Sequence, residues 1–349
     1  MFGSTSPAGA IPPEPPVYLY AGGTHGSGQP SHTSETEWEA FLGPGHVPPA
    51  YTVQYPRDLA PLVGDTTLDD SVDEGVTEAV RLFLLHDEGA AINLVGVSQG
   101  AVVMARTKRA LIDAEGVDPT RIYVLTYGDP TNPDGGFLAK LDRLNINIPG
   151  FTPVTHTPGE GGYVTVVIEY DVIADSPDNL NPVSWANALM GASYDHATYS
   201  KPLTDAALAE HRVVSNTEEW YQAPGDEQAV AYYQHNLIKQ KNLPLTRPLR
   251  EIGTEIADDD GDVRVNRAVD RLDNLLRPVV DAGYDGGEPG GTRHIGTTTK
   301  HYPEASETAI ANPAVAKPKT LKTPVRDAIK TVSEAVKKLT NRLAAKPAE

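Results

Sequence analysis

A chain of 349 residues with 39% hydrophobic side chains can bury the core of one large domain with appendages, and its 31 glycines and 30 prolines speak against a helical bundle. A formal net charge of -18 leaves little cation to displace the counterions of a nucleic-acid backbone, so nucleic acid is excluded as an expected partner. The absence of cysteine excludes disulfides and thiolate metal sites, and no apolar run approaches the roughly 18 residues of a membrane-spanning helix.

Residues 1–16 are rich in Pro, Gly and Ser without a period. They read as a flexible arm that has neither the basic start nor the apolar core of a signal peptide. The apolar run 17–20 (VYLY) predicts a first strand, ending in a glycine-rich turn, 21–26 (AGGTHG), at the C-terminal edge of a sheet. A second strand is expected at 51–55, stopped by Pro56. From Leu68 to His86, apolar residues at Val72, Val76, Ala79, Val80, Phe83 and Leu84 keep helical spacing, with acids in the first turns where the helix dipole favours them.

Residues 91–95 predict the next strand, 96–100 a sharp turn, and 101–114 a helix. Two β-branched and aromatic runs, 121–127 (RIYVLTY) and 163–170 (YVTVVIEY), add strands. Alternation of strands with helices argues for an α/β fold with a mostly parallel central sheet flanked by helices. The mixed pattern of 216–286 reads as a cap or flank closing a domain that runs from 17 to 286. Residues 287–323 read as a linker, and 324–346 as a tail helix with apolar positions Val325, Ile329, Val332, Val336, Leu339 and Leu343. Residues 313–349 carry about +6 and the remainder about -24, so this amphipathic basic helix is expected to meet a membrane surface or an acidic protein face.

The segment Gly96-Val97-Ser98-Gln99-Gly100 matches G-x-S-x-G directly after a strand and before a helix. In that setting a strained turn holds a serine hydroxyl clear of the sheet. A hydroxyl at its ordinary pKa is a weak nucleophile, so it needs a histidine base and a carboxylate to orient that histidine. In the α/β-hydrolase fold the chain order is Ser, then Asp or Glu, then His. Asp171, just past the 163–170 strand, is the expected acid, with Asp175 in reserve, and His196 in YDHATY is the expected base. The oxyanion formed on attack needs two donors, expected from the backbone amide of Gln99 and from Thr24 in the glycine-rich turn. The acidic run at 258–262 lacks the twelfth-position Glu of a calcium loop and reads as a solvated turn, and the other histidines show no ligand spacing. No metal or cofactor is expected.

Around these residues the chain resembles the PE-PPE domain, a cutinase-like α/β-hydrolase family of mycobacteria and their relatives. The likeness runs from Val17 to Tyr284 and is carried by GVSQGAVV at 96–103, YGDPTNPDGG at 127–136, EYDVIADSPDNLNP at 169–182, YDHATY at 194–199, NLPLTRPLR at 242–250 and LLRPVVDAGY at 275–284. Asp129 departs from the asparagine more usual in the family, and the stretch ahead of Val17 is not expected to form a PE or PPE helical module. The resemblance implies a serine esterase or lipase acting on acyl esters, lipid or cell-envelope esters among them, in a secreted or envelope location. The alternative is an acyltransferase that hands the acyl group to a sugar such as trehalose. A phage-encoded envelope esterase that frees mycolic acids, or a virion component that keeps the fold without catalysis, are further readings. Residues 137–162 and 200–240 are expected to be loops that shape an acyl pocket.

Overall fold

The computed structural model describes residues 16–26, 34, 36–43, 50–86, 89–112, 117–118, 121–156, 162–221, 230–260 and 263–284. The arm at 1–15, the linker 287–323 and the tail helix 324–346 lie outside the described residues.

Seven strands form one sheet: β1 (Val17–Ala21), β2 (Ala50–Thr52), β3 (Ile92–Val97), β4 (Ile122–Tyr127), β5 (Gly162–Ile168), β6 (Val213–Tyr221) and β7 (Val230–Ile238), in the order β2-β1-β3-β4-β5-β7-β6. All neighbours run parallel except β6, which closes one edge antiparallel to β7. Register aligns Ala21 with Gly96, Val97 with Tyr127 and Ile168 with Ile238. The C-terminal ends of β1, β3, β4 and β5 therefore lie along one edge.

The strands read as unbroken apolar runs because both faces are covered. On one face Leu19, Leu94, Val124 and Tyr163 join Val72, Ala79 and Phe83 of α2 (Leu68–His86) and Val103 and Leu111 of α3 (Gln99–Ile112). On the other, Tyr20, Val95, Tyr127 and Val166 meet Phe41 of α1 (Glu39–Leu42), Tyr199, and Ala207 of α6 (Lys201–Ala209). Adjacent residues such as Leu19 and Tyr20, or Leu94 and Val95, enter opposite cores, as the two-residue period of a strand demands. This is the α/β-hydrolase fold.

Three expectations need correcting. Residues 213–238, expected as part of a loop and a cap, hold β6 and β7. In β7, Tyr233, His235 and Leu237 are buried while Gln234 and Asn236 are half-buried, an alternation in which polar side chains disguised the strand. Residues 137–162 are not one loop, since α4 (Phe137–Arg143) follows Gly136 directly. Asp258–Asp260 end a helix, α7 (Arg247–Asp260), rather than forming a turn. The flank expected at the end of the domain is an arrangement of α7, α8 (Arg264–Asp281) and α5 (Pro182–Asp195). Tyr170, Leu243, Val280 and Tyr284 form a small core there beside the end of β5. Among the described residues no helix is long and apolar enough to cross a membrane.

Candidate active site

Ser98 sits between the last residue of β3 and the first of α3, with φ at 52°. A non-glycine residue in the left-handed region is strained, and it stays there only where its neighbours fix it. Here its backbone N–H donates to Tyr127 O at 2.9 Å, and Ala101 N–H returns to Ser98 O at 2.9 Å. The flanking glycines are required by crowding: a Cβ on Gly96 would collide with Gly100 O and the Ala101 backbone, and one on Gly100 with Ala21 O. The helix starts so close to β1 and β3 that only glycine fits at those two positions.

Asp171 lies just beyond β5 and is fully buried, while His196 follows the last residue of α5 and is partly exposed. The two residues and Ser98 come together although Ser98 and His196 are 98 positions apart in the chain. His196 Nδ1 donates to Asp171 Oδ2 at 2.7 Å, since a carboxylate can only accept, and this leaves Nε2 to accept from Ser98 Oγ at 2.7 Å. Asp175 stands elsewhere: its Oδ2 accepts from Tyr170 N–H at 2.6 Å, bracing the turn after β5.

Tyr199 completes the acid's environment. Its hydroxyl donates to Asp171 Oδ2 at 2.9 Å and accepts from Ile168 N–H at 2.9 Å, and its ring stands edge-on to the His196 ring at 5.9 Å. Burial pushes this hydroxyl well above the ordinary tyrosine range, so it remains a donor at every working pH. One residue before His196, Asp195 receives two nitrogens of Arg247, each at 2.8 Å, and the same guanidinium lies 5.2 Å over the Tyr194 ring. With Thr198 Oγ1 donating to Asp195 O at 2.8 Å, the motif YDHATY contributes five anchored side chains, of which His196 alone is a sequence-based candidate.

Of the two expected oxyanion donors, Gln99 follows Ser98 in the chain and Thr24 belongs to a loop that comes close to it. Gln99 is the first residue of α3, so its backbone N–H belongs to the turn that has no intrahelical acceptor. Thr24, half-buried, lies in the 22–26 loop after β1. That loop passes so near that a Cβ on Gly23 would stand 3.1 Å from Ser98 Cβ.

Residues the sequence reading missed fasten this loop. Tyr55 hydroxyl donates to Gly22 O at 2.5 Å, Arg57 Nε to Gly23 O at 2.5 Å, and His25 Nε2 pairs with Asp58 Oδ1 at 2.8 Å. Gln99 Nε2 donates to Asp58 O at 2.6 Å, tying the start of α3 to the same segment. Burial pushes the Asp58 carboxyl up, but hydrogen bonds from His25 and from the N–H groups of Thr66 and Asp65 outweigh it and hold the group below the usual range.

Comparison with known proteins places these residues among relatives. The family profile described as "PE-PPE domain" matches residues 48–285, which includes Ser98, Asp171 and His196 but begins after β1 and the 22–26 loop. PE family protein PE3 of Mycobacterium tuberculosis is 29% identical over 256 residues, covering 70% of this chain and 49% of that protein. Esterase PE16 of the same organism is 27% identical, covering 76% and 48%. Diacyltrehalose acyltransferase Chp2, also of M. tuberculosis, is 28% identical, covering 63% and 55%. The chain spans about half the length of the curated relatives it matches.

Proposed function

The chain belongs to the PE-PPE domain family, and from that membership we propose that it is a serine ester hydrolase acting on acyl esters, lipid or cell-envelope esters in particular. The observation that carries this reading is the unbroken line of hydrogen bonds from Ser98 Oγ through His196 to Asp171. Ser98 Oγ attacks the acyl carbon while its proton passes to His196 Nε2. The oxyanion that forms is held by the Gln99 N–H and by Thr24. His196 then returns the proton to the leaving alkoxide, freeing the alcohol and leaving an acyl ester on Ser98. Water, deprotonated by His196 in turn, attacks that ester and releases the acid. Asp171 accepts from Nδ1–H and stabilises the imidazolium that forms.

The name of one relative, esterase PE16, supports hydrolysis. Another, diacyltrehalose acyltransferase Chp2, supports a second reading in which a sugar hydroxyl replaces water at the last step. An envelope or secreted location fits either reading. The basic segment 324–346 is proposed as a peripheral contact to an acidic surface, which sedimentation with anionic vesicles, with and without that segment, would test.

The experiment for the main reading is turnover of p-nitrophenyl esters of graded acyl length, with and without trehalose, by wild type and Ser98→Ala. Loss of at least about a thousandfold in the variant supports the serine mechanism. Acylated trehalose in the products moves the assignment to transfer, and equal rates in both proteins overturn it.

A further inference from the structure

Away from Ser98, a cavity of about 200 Å³ opens beside α3, bounded by the helix's second to fourth turns, by Thr131 after β4, and by residues 154–156. Its walls are mostly apolar, with Val102, Ala105, Ile112 and Val154 contributing hydrocarbon, but two of its side chains are basic and buried. Lys108 is 1% exposed, and the hydrogen bond its ammonium makes goes to Gly162 O at a long 3.4 Å. Among the described residues no carboxylate pairs with it. His156 is 8% exposed, and its Nε2 is buried without a hydrogen-bond partner.

Both groups carry the cost of that isolation. Burial holds the Lys108 amine down to about 8, and burial together with the nearby Lys108 charge holds His156 down to about 3. At neutral pH the cavity therefore contains a charged ammonium with no counter-ion among the described residues, next to a neutral imidazole with a nitrogen that no described residue engages. Leaving a charge buried and unpaired is one of the more expensive arrangements in a protein, whereas an anion in the same space would relieve it.

We propose that this cavity is a second binding site, taking a short-chain carboxylate whose carboxyl group pairs with Lys108 and whose hydrocarbon lies on Val102, Ala105, Ile112 and Val154. The size agrees: a dry cavity of roughly 150 Å³ accepts benzene, so this one accommodates a carboxylate of about six carbons. Of the two arginines that also line it, Arg106 is committed to Asp73 at 3.0 Å and Asp69 at 3.5 Å and Arg109 is exposed, which leaves Lys108 as the buried cation that selects the ligand. The site takes no part in the chemistry proposed for Ser98, and it stands or falls independently of that reading.

The test is calorimetric titration of the full chain with sodium hexanoate and, separately, with hexanamide, which has the same shape without the charge. Wild type should bind one hexanoate per chain and hexanamide at least tenfold more weakly. Lys108→Met, which keeps the length of the side chain and removes its charge, should lose at least tenfold in hexanoate affinity. Ala105→Leu, which fills the cavity and keeps the ammonium, should lose as much, with circular dichroism reporting that both variants are folded. Equal hexanoate affinity in wild type and Lys108→Met would overturn the proposal, as would a folded wild type that takes up no hexanoate at millimolar concentration.

Discussion

At the scale of single residues, the geometry around Asp171 asks what holds a buried carboxylate in line with His196. Three donors converge on it: the imidazole Nδ1–H, the Tyr199 hydroxyl and, on the other oxygen, Ile173 N–H at 3.1 Å. Tyr199 touches none of the reacting atoms and acts through Asp171, so it is a positioning residue. Replacing it with Phe removes one donor to the carboxylate and leaves Ile168 N–H without its acceptor. We expect Tyr199→Phe to lower kcat about tenfold with KM little changed, and to cost about 1–2 kcal/mol of stability by urea unfolding. A rise in KM at constant kcat would instead assign Tyr199 to substrate binding.

Among the elements, α5 is the one that delivers His196, and its two ends are pinned to different partners. Asn181 caps its start, accepting from Val183 N–H at 3.0 Å and Ser184 N–H at 3.4 Å, while its own amide donates to Val279 O at 2.7 Å in α8. Arg247 of α7 holds the far end through Asp195. Asn181→Ala is expected to lower stability by about 1–2 kcal/mol, read as a shift in the urea midpoint, while ester turnover persists because the Arg247 anchor remains. Loss of turnover without loss of stability would show that the cap sets the catalytic geometry. How much of this was readable in the sequence follows from the same elements. β1, α2, β3, α3, β4 and β5 carry strong local periods because they are buried on one or both faces, and the G-x-S-x-G turn marks its own junction. Ser98 and Asp171 could be picked as candidates because they stand just past β3 and β5, and His196 because it follows the apolar stretch of α5. β6 and β7 escaped because Gln234, Asn236 and their neighbours interrupt the apolar run, and Asp175 was open as an alternative because two acids four residues apart share one strand end. Tyr55, Arg57, Asp58 and Arg247 act through contacts between segments distant in the chain, and no local pattern records those.

For the molecule as a whole, the parallel sheet gathers the 22–26 loop, Ser98, Asp171 and His196 at one edge, while Lys108 and His156 line a second region beside α3. That second region ties stability to pH. His156 is held neutral in the folded chain down to about pH 3, whereas the unfolded chain takes up its proton near 6.5. Below pH 6.5 the unfolded state thus binds more protons, so the contribution of His156 is intact above that pH and is lost progressively toward pH 3. Asp129, whose carboxyl burial pushes up, acts in the opposite direction and is unchanged by substitution at 156. Urea unfolding at pH 7, 5.5 and 4.5 should show wild type losing stability more steeply than His156→Leu, and parallel losses would contradict the assignment. Ser98 as an activated nucleophile is put to the test by treating the full chain with a fluorophosphonate and locating the adduct by peptide mass spectrometry. One phosphonyl group is expected on the peptide containing Ser98 in wild type and none in Ser98→Ala. An unlabelled wild type, or an adduct on a different residue with Ser98 unmodified, would contradict it.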